Sequence, residues 1–285
     1  MLDAAAREEA DRAGLAVREA GRTDCGQTTW AKYLLTLAVA AFMTCLIPTA
    51  SGTAQVVVSS NALQRTFQLK YGNQTGTCFT LDVDGRQYLV TARHVVDGIK
   101  GGGNIEIRRD SQWQSIPVKA FFPSPDSVDI AVLVASVQIS PSLPLPAEPV
   151  NIFLSQDVYF LGFPDGLSMD AKNLNAGFPL PFVKKGSVAA FVAADGGAQI
   201  IVVDGLNNPG FSGGPVVYQD VNTRDLKVAG VVSGYRFQED RVFEGGRETA
   251  FSVRNNTGLM IAYGIAKALE VIRANPVGAV LGKSK

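Results

Sequence analysis

Three side chains in this sequence are of the types that acyl transfer requires: the Ser212 hydroxyl, the His94 imidazole and the Asp129 carboxylate. A serine alcohol is a poor nucleophile at its own pKa. It needs a base to take its proton, a partner that fixes the base's tautomer, and donors for the developing oxyanion. His94 is the only histidine among the 285 residues, so no second imidazole competes for the role of base. Small Ala92 lies two positions before it and apolar Val95 and Val96 follow, the setting expected where a strand end delivers a ring into a cleft. Asp129 opens the run DIAVLVA and puts a carboxylate at the mouth of an apolar strand. Burial there is costly unless the group is hydrogen-bonded, and an imidazole N–H is a suitable partner. Asp126 is the rival for that role; Asp97 is expected to sit on the local turn of His94 and point elsewhere.

Around Ser212 the segment Asn208-Pro209-Gly210-Phe211-Ser212-Gly213-Gly214-Pro215 concentrates glycine and proline ahead of a new strand. Such a loop permits close backbone approach. Its N–H groups, chiefly those of Gly210 and Ser212, are candidates to converge on an oxyanion. Each feature alone has a plain explanation: a satisfied histidine, a strand-start aspartate, a glycine-rich turn. Their combination outweighs those explanations. Cys78 offers a thiol, but it lies in an expected strand without a glycine-rich loop and reads as a buried free cysteine. One histidine, no CxxC pair and no clustered carboxylates give no metal site, and no cofactor is called for.

The elements that must position these residues read as β. Apolar-rich runs flank Asp84-Gly85 between Gly76 and Val96, a strong hairpin signal. Short strands follow at 105–109, 116–122 and 129–135, then at 157–164, 185–193, 198–204, 214–219 and 226–234, separated by turn residues. Pro141, Pro144, Pro146 and Pro149 interrupt the series and exclude a central strand or helix there. The expected organisation is a first β-barrel over 55–140, a Pro-rich linker over 141–150, and a second β-barrel with a C-terminal helix over 151–285. In that helix Ile265, Leu269 and Ile272 share a face opposite Lys267, Glu270 and Arg273, with Asn275-Pro276 as its stop. The segment 236–248, charged and long for a β connection, reads as a solvated surface loop.

Residues 1–54 read as an N-terminal extension and signal peptide. The apolar run 33–47 follows Lys32 and precedes Pro48 and small residues, with cleavage expected after Gly52 or Ala54. The run is shorter than the ~20 residues that span a bilayer, which favours a secreted or periplasmic product over retention as a membrane anchor. Only Cys78 then remains, so no intramolecular disulfide forms. Hydrophobic residues make up 46% of the chain and charged ones 18%, enough for a large core and too apolar for disorder. Basic and acidic residues balance at 26 each, so nothing electrostatic favours a nucleic-acid partner, and a membrane is a partner only if 33–47 is retained.

TARHVV, DIAVL and GFSGGPV, in the order His, Asp, Ser, resemble the trypsin/chymotrypsin-like serine peptidases, nearest the disulfide-free bacterial Deg/HtrA-type protease domain. The likeness includes GTCF before the histidine strand, LGFP at the second half, and AGVVSGY after the serine. It implies an all-β chain of two six-stranded antiparallel barrels with the site between them, acting on a protein or peptide substrate, with His94, Asp129 and Ser212 as the triad and the Gly210 and Ser212 amides as oxyanion donors. No PDZ-like domain is expected after the second barrel. Phe211 stands where trypsin types activated by a new N-terminus carry aspartate, so that activation is not expected. Leu206 matches the base of the specificity pocket and Ser233, Gly234 and Tyr235 its wall; an apolar base and a narrowing tyrosine imply small or medium apolar side chains at the cleavage site. A catalytically silent binding protein on the same scaffold is the alternative from another class.

Overall fold

The computed structural model describes residues 56–282 apart from 144, 149 and 150. The N-terminal extension and its expected cleavage site lie outside the described residues, as does part of the Pro-rich segment. Among the described residues no helix is long and apolar enough to cross a membrane.

After a short helix α1 (Ser60–Gln64), capped by the Ser59 hydroxyl, six strands build the first half. They are β1 (Thr66–Tyr71), β2 (Gln74–Val83), β3 (Arg86–Thr91), β4 (Gly102–Arg109), β5 (Gln112–Phe121) and β6 (Ala131–Ala135). All neighbours are antiparallel, and the pairings β1–β2, β2–β3, β3–β6, β6–β5, β5–β4 and β4–β1 close a ring. Asp84 and Gly85 both take positive φ, the conformation a two-residue hairpin needs between β2 and β3.

The second half is a closed barrel of β7 (Asp157–Gly162), β8 (Phe182–Ala193), β9 (Gln199–Asp204), β10 (Pro215–Gln219), β11 (Leu226–Glu244) and β12 (Arg247–Gly264). Helix α2 (Ala266–Ala274) follows, and β13 (Ala279–Val280) returns to pair with the start of β3. The fold is therefore the mostly β, two-barrel architecture implied by the resemblance.

Period-two alternation sorts each strand's side chains between a barrel interior and the barrel–barrel interface. In β2 and β3, Cys78 and Leu89 join Phe67, Ile105 and Leu133 inside the first barrel, while Phe79, Tyr88 and Val90 face Leu161, Val217 and Val231 of the second. Strands buried on both faces lose their polar alternation, which is why 76–96 reads as nearly continuous apolar sequence. Ile265, Ala268, Val271 and Ile272 add α2 to that shared core. The helix thus joins the two halves as well as covering an apolar face.

The segment 236–248 is not a loop. β11 and β12 run past the barrel as a two-stranded arm closed by Gly245 and Gly246, both at positive φ. Several of its charges, which suggested a solvated loop, are partnered: Glu239 with Arg254 across the strands at 3.0 Å, and Arg241 with Glu248 at 2.9 Å. Arg254 also lies over the Phe237 ring, 4.3 Å from its centroid. Strand β1 is a further element absent from the sequence reading.

Candidate active site

His94 enters on a single 3-10 turn, Arg93–Val96, directly after β3. Val95 and Val96 bury themselves in the first barrel and fix that turn. The His94 backbone N–H donates to Asp129 Oδ1 at 2.9 Å, and ring Nδ1 lies 2.7 Å from Asp129 Oδ2. An ionised carboxylate only accepts, so Nδ1 carries the proton and Nε2 is left as the basic nitrogen. Asp126 turns away to an ion pair with Arg93 Nη2 at 2.9 Å and is 89% exposed, so it is not the carboxylate at the imidazole.

The hydrogen bond to Asp129, helped by that carboxylate's charge and that of Asp97, raises the His94 pKa above the ordinary imidazole value against the lowering effect of burial. Burial pushes Asp129 upward, but the His94 hydrogen bond and charge, the Ser233 hydroxyl and the His94 N–H together hold it below the usual carboxylate range. Cys78 is fully buried, and desolvation pushes its thiol up, away from the thiolate that a nucleophile requires.

Ser212 follows a loop whose backbone is tied down throughout. Every carbonyl from Leu206 to Ser212 accepts a hydrogen bond. Leu206 O accepts from Lys184 Nζ at 2.8 Å, Asn207 O from Asn256 Nδ2 at 2.6 Å, and Asn208 O from the Phe211 N–H. Pro209 O accepts from the Asp165 N–H, Gly210 O from Thr77 Oγ1 at 2.7 Å, Phe211 O from the Gly214 N–H, and Ser212 O from the Thr77 N–H at 2.8 Å. The Gly210 and Ser212 N–H groups are donors with no partner among the described residues. Gly210 is required: at φ +100°, a Cβ would stand 2.1 Å from the Phe163 carbonyl oxygen. Gly76, from the GTCF run, is equally confined, since a Cβ there would meet the Ser212 carbonyl oxygen and the Val95 methyls at 2.9 Å.

Phe211 is fully buried and packs edge-on against Phe160 with centroids 5.2 Å apart. An aromatic contact therefore holds the residue before Ser212, at the position where the resemblance places an aspartate in N-terminally activated trypsins. Lys184 adds a cation over the other side of this region: its Nζ donates to Leu206 O and to Asn208 Oδ1, 5.5 Å from the Phe211 centroid.

The structure brings His94 and Asp129 into direct contact, whereas Ser212 reaches them through Ser233. Ser212 Oγ donates to the Ser233 carbonyl at 3.1 Å, and Ser233 Oγ donates to Asp129 Oδ2 at 2.5 Å. Among the described residues Ser212 makes no hydrogen bond to His94. Ser233, Gly234 and Tyr235 line a common groove that Leu206 does not; Leu206 is 54% exposed on the loop. The sequence reading missed the second role of Ser233 and the tethers from Thr77, Lys184 and Asn256. The Ser-Gly-Tyr run signalled the first, but tethers made by single polar residues on distant strands leave no local pattern.

Two antiparallel six-stranded barrels with a His–Asp pair and a glycine-rich serine loop meeting between them define the chain as a trypsin-fold serine endopeptidase. The model of the trypsin-like peptidase domain matches residues 76–223, and the chain belongs to that family. Among solved structures, the Rv3671c protease in its inactive form is 18% identical with a TM-score of 0.50, over 76% of this chain and 91% of that one. The active form of that protease, from M. tuberculosis, is 18% identical with a TM-score of 0.49, over 78% and 87%. The HtrA-type protease AlgW with tripeptide is 21% identical with a TM-score of 0.49, over 75% of this chain and 61% of that one. No curated protein sequence matches the chain.

Proposed function

We propose that the chain hydrolyses peptide bonds through an acyl-enzyme, with Ser212 as nucleophile, His94 as general base and then acid, and Asp129 as the carboxylate that orients the imidazole. The observation that carries this reading is the convergence of the His94 N–H, the His94 ring and the Ser233 hydroxyl on one carboxylate. Rotation about the Ser212 Cα–Cβ bond would move its hydroxyl from the Ser233 carbonyl toward His94 Nε2; catalytic hydrogen bonds of this kind often tighten only with substrate in place. The partnerless Gly210 and Ser212 N–H groups are the proposed oxyanion donors. His94 then returns the proton to the leaving amine, and water repeats the sequence on the ester.

For the residue before the scissile bond we assign a preference for small or medium apolar side chains, from the bulk of Tyr235 and the absence of an acidic side chain along the groove that it lines with Ser233 and Gly234. Dominant cleavage after Arg or Lys in a peptide library would refute it. Export to a secreted or periplasmic location, with the leader cleaved after Gly52 or Ala54, belongs to the same reading; N-terminal sequencing of the mature protein tests it, and a start near Thr53 or Gln55 is expected.

The decisive experiment is reaction of the protein with a fluorophosphonate probe beside its Ser212→Ala variant. Labelling of the first and not the second is expected; equal labelling of both would sink the assignment. Because Ser212 rests on the Ser233 carbonyl, a silent scaffold protein is the second reading, and absence of labelling in both would favour it.

A further inference from the structure

Strand β11 leaves the barrel with one edge open. Its pairing with β10 ends at Val231, and among the described residues the stretch from Arg236 to Glu244 pairs only with β12. Thr257 Oγ1 donates to the Arg236 carbonyl at 3.0 Å and Thr249 Oγ1 to the Val242 carbonyl at 2.9 Å, both from β12. The irregularity near the tip falls in β12, where the step from Glu248 to Ser252 faces the shorter step from Arg241 to Phe243. Alternation along β11 is therefore unbroken: even-numbered backbone groups turn toward β12, and those of Phe237, Glu239, Arg241 and Phe243 turn away from it. An open edge of this kind is a template for a further strand. Phe237 and Phe243 stand along it, 51% and 61% exposed.

The order of residues on this edge is self-complementary. Turned end over end about Asp240, the segment 236–244 sets Arg236 against Glu244, Phe237 against Phe243 and Glu239 against Arg241. Only every second register lets the outward backbone groups of two such edges meet. The nearest alternatives of that kind place Glu239 against Glu239 or Arg241 against Arg241, so charge selects the register centred on Asp240. Within the arm Glu239 already contacts Arg254 at 3.0 Å, and Arg241 contacts Glu248 at 2.9 Å. Pairing two edges in this register extends those contacts into a row of alternating sign across four strands: Arg254 and Glu239 of one copy, then Arg241 and Glu248 of the other. Asp240 alone meets its own kind, and its carboxylate accepts from Gln238 Nε2 at 2.7 Å and from Asn255 Nδ2. That like pair weakens the association without redirecting it.

We propose that the arm is a dimerisation element in which the β11 edge of one copy pairs antiparallel with the same edge of a second copy, about a two-fold axis at Asp240. The inference does not depend on the serine mechanism. A second copy is the occupant because the edge matches itself in both charge order and backbone direction. The two-fold pairing closes on itself and leaves no β11 edge to recruit a third chain. It sets the Gly245–Gly246 turn of the second copy beside Tyr235, at the groove that Tyr235 lines with Ser233 and Gly234.

The test is sedimentation of the Ser212→Ala protein, in which no self-cleavage intervenes, from about 1 to about 100 μM, a range over which small interfaces associate. The mass is expected to rise with concentration from one chain to two. Glu239→Arg and Arg241→Glu, each alone, set like charges at both equivalent contacts and should raise the dissociation constant by about tenfold or more. Mixing these two variants should restore the dimer, because the introduced charges then face each other and the native ones remain paired, an outcome that misfolding does not produce. Asp240→Asn removes the central like pair and should tighten the dimer about threefold or more; no tightening would overturn the axis at that residue. A single-chain mass at every concentration would overturn the proposal. So would a dimer unaffected by either charge reversal, which places the contact elsewhere, or a mixture that stays monomeric where each variant alone has lost the dimer.

Discussion

The two barrels hold their contributions to the cleft by different means. On the first, His94 depends on one side chain, since its backbone N–H and ring both bind Asp129. On the second, Ser212 ends a loop whose carbonyls from Leu206 onward are all occupied by donors from several strands and loops, while the Gly210 and Ser212 N–H groups have no partner among the described residues. The first arrangement is concentrated and titratable. The second is distributed, and its only titratable anchor is Lys184. The contrast predicts that the histidine side fails abruptly when one group is altered, whereas the serine side fails by degrees.

The largest effect should follow Asp129→Asn. The amide cannot serve as a double acceptor for the same tautomer, and a loss of about 10⁴ in kcat is expected, with fluorophosphonate labelling slowed in parallel. Asp126→Asn should change kcat by no more than about twofold, because that residue meets Arg93 at the surface and a surface pair contributes little. A comparable loss in both variants would show that the histidine side is not concentrated on one carboxylate.

Next in size is Lys184→Met. It removes the donor to Leu206 O and Asn208 Oδ1, loosening one end of the serine loop while the tethers from Thr77, Asp165 and Asn256 remain. Because removal of a whole oxyanion donor costs 10²–10³ in kcat, displacement of one by a slack loop should cost about tenfold, mainly in kcat and little in KM. Lys184→Arg should restore most of the loss. Desolvation, against the opposing charge of Asp165, lowers the Lys184 pKa below its ordinary 10.5. An alkaline fall in kcat below that pH, absent from the arginine variant, is therefore expected. A loss carried entirely by KM would refute the positioning role.

This contrast was only half visible in the sequence. His94, Asp129 and Ser212 stood out because a unique histidine, a carboxylate at an apolar strand and a cluster of glycines are local signals, and most strands announced themselves by turn chemistry around apolar runs. The choice between Asp129 and Asp126 was not local; it depends on a pairing of β3 with β6 that brings residue 94 to residue 129. The arm was missed because its charges read as solvation when considered along the chain, although two pairs of them meet across it. Gly245-Gly246 was the available hairpin signal. Lys184 was invisible: a lysine followed by another lysine at a strand start has no feature that distinguishes an anchor from a solvated charge.

Comparable in size is Ser233→Ala, which removes one of the donors to Asp129 Oδ2 while leaving the carbonyl that holds Ser212. A hydrogen bond to a charged group contributes about 1.5–3 kcal/mol, and Asp129 keeps its two bonds to His94, so a loss near the lower bound, roughly tenfold in kcat, is expected. With one donor fewer, Asp129 becomes more basic and should raise the His94 pKa further. The acidic limb of kcat/KM should therefore move to higher pH in this variant, a displacement that a merely structural serine would not produce.

The smallest predicted effect concerns the position of that limb in the wild-type chain. Since the Asp129 hydrogen bond raises the His94 pKa, kcat/KM should rise with a single ionisation centred above the ordinary 6.5 of imidazole. Stability should respond in the opposite sense. A raised pKa means that the folded state holds the His94 proton more tightly than the unfolded chain, so this contribution is full below the unfolded value and disappears as pH rises through the folded one. The depressed Asp129 pKa acts at the other end: its contribution is present above the ordinary carboxylate value and is lost as pH falls through the folded one. The pair therefore supports the fold best between those two ordinary values, at a pH where the imidazole is protonated and cannot act as base. His94→Ala should flatten the upper part of the stability profile, measured by denaturant titration against pH, whereas Lys184→Met should leave that part unchanged; matching profiles for these two variants would mean that the histidine side is not the titratable half of the site.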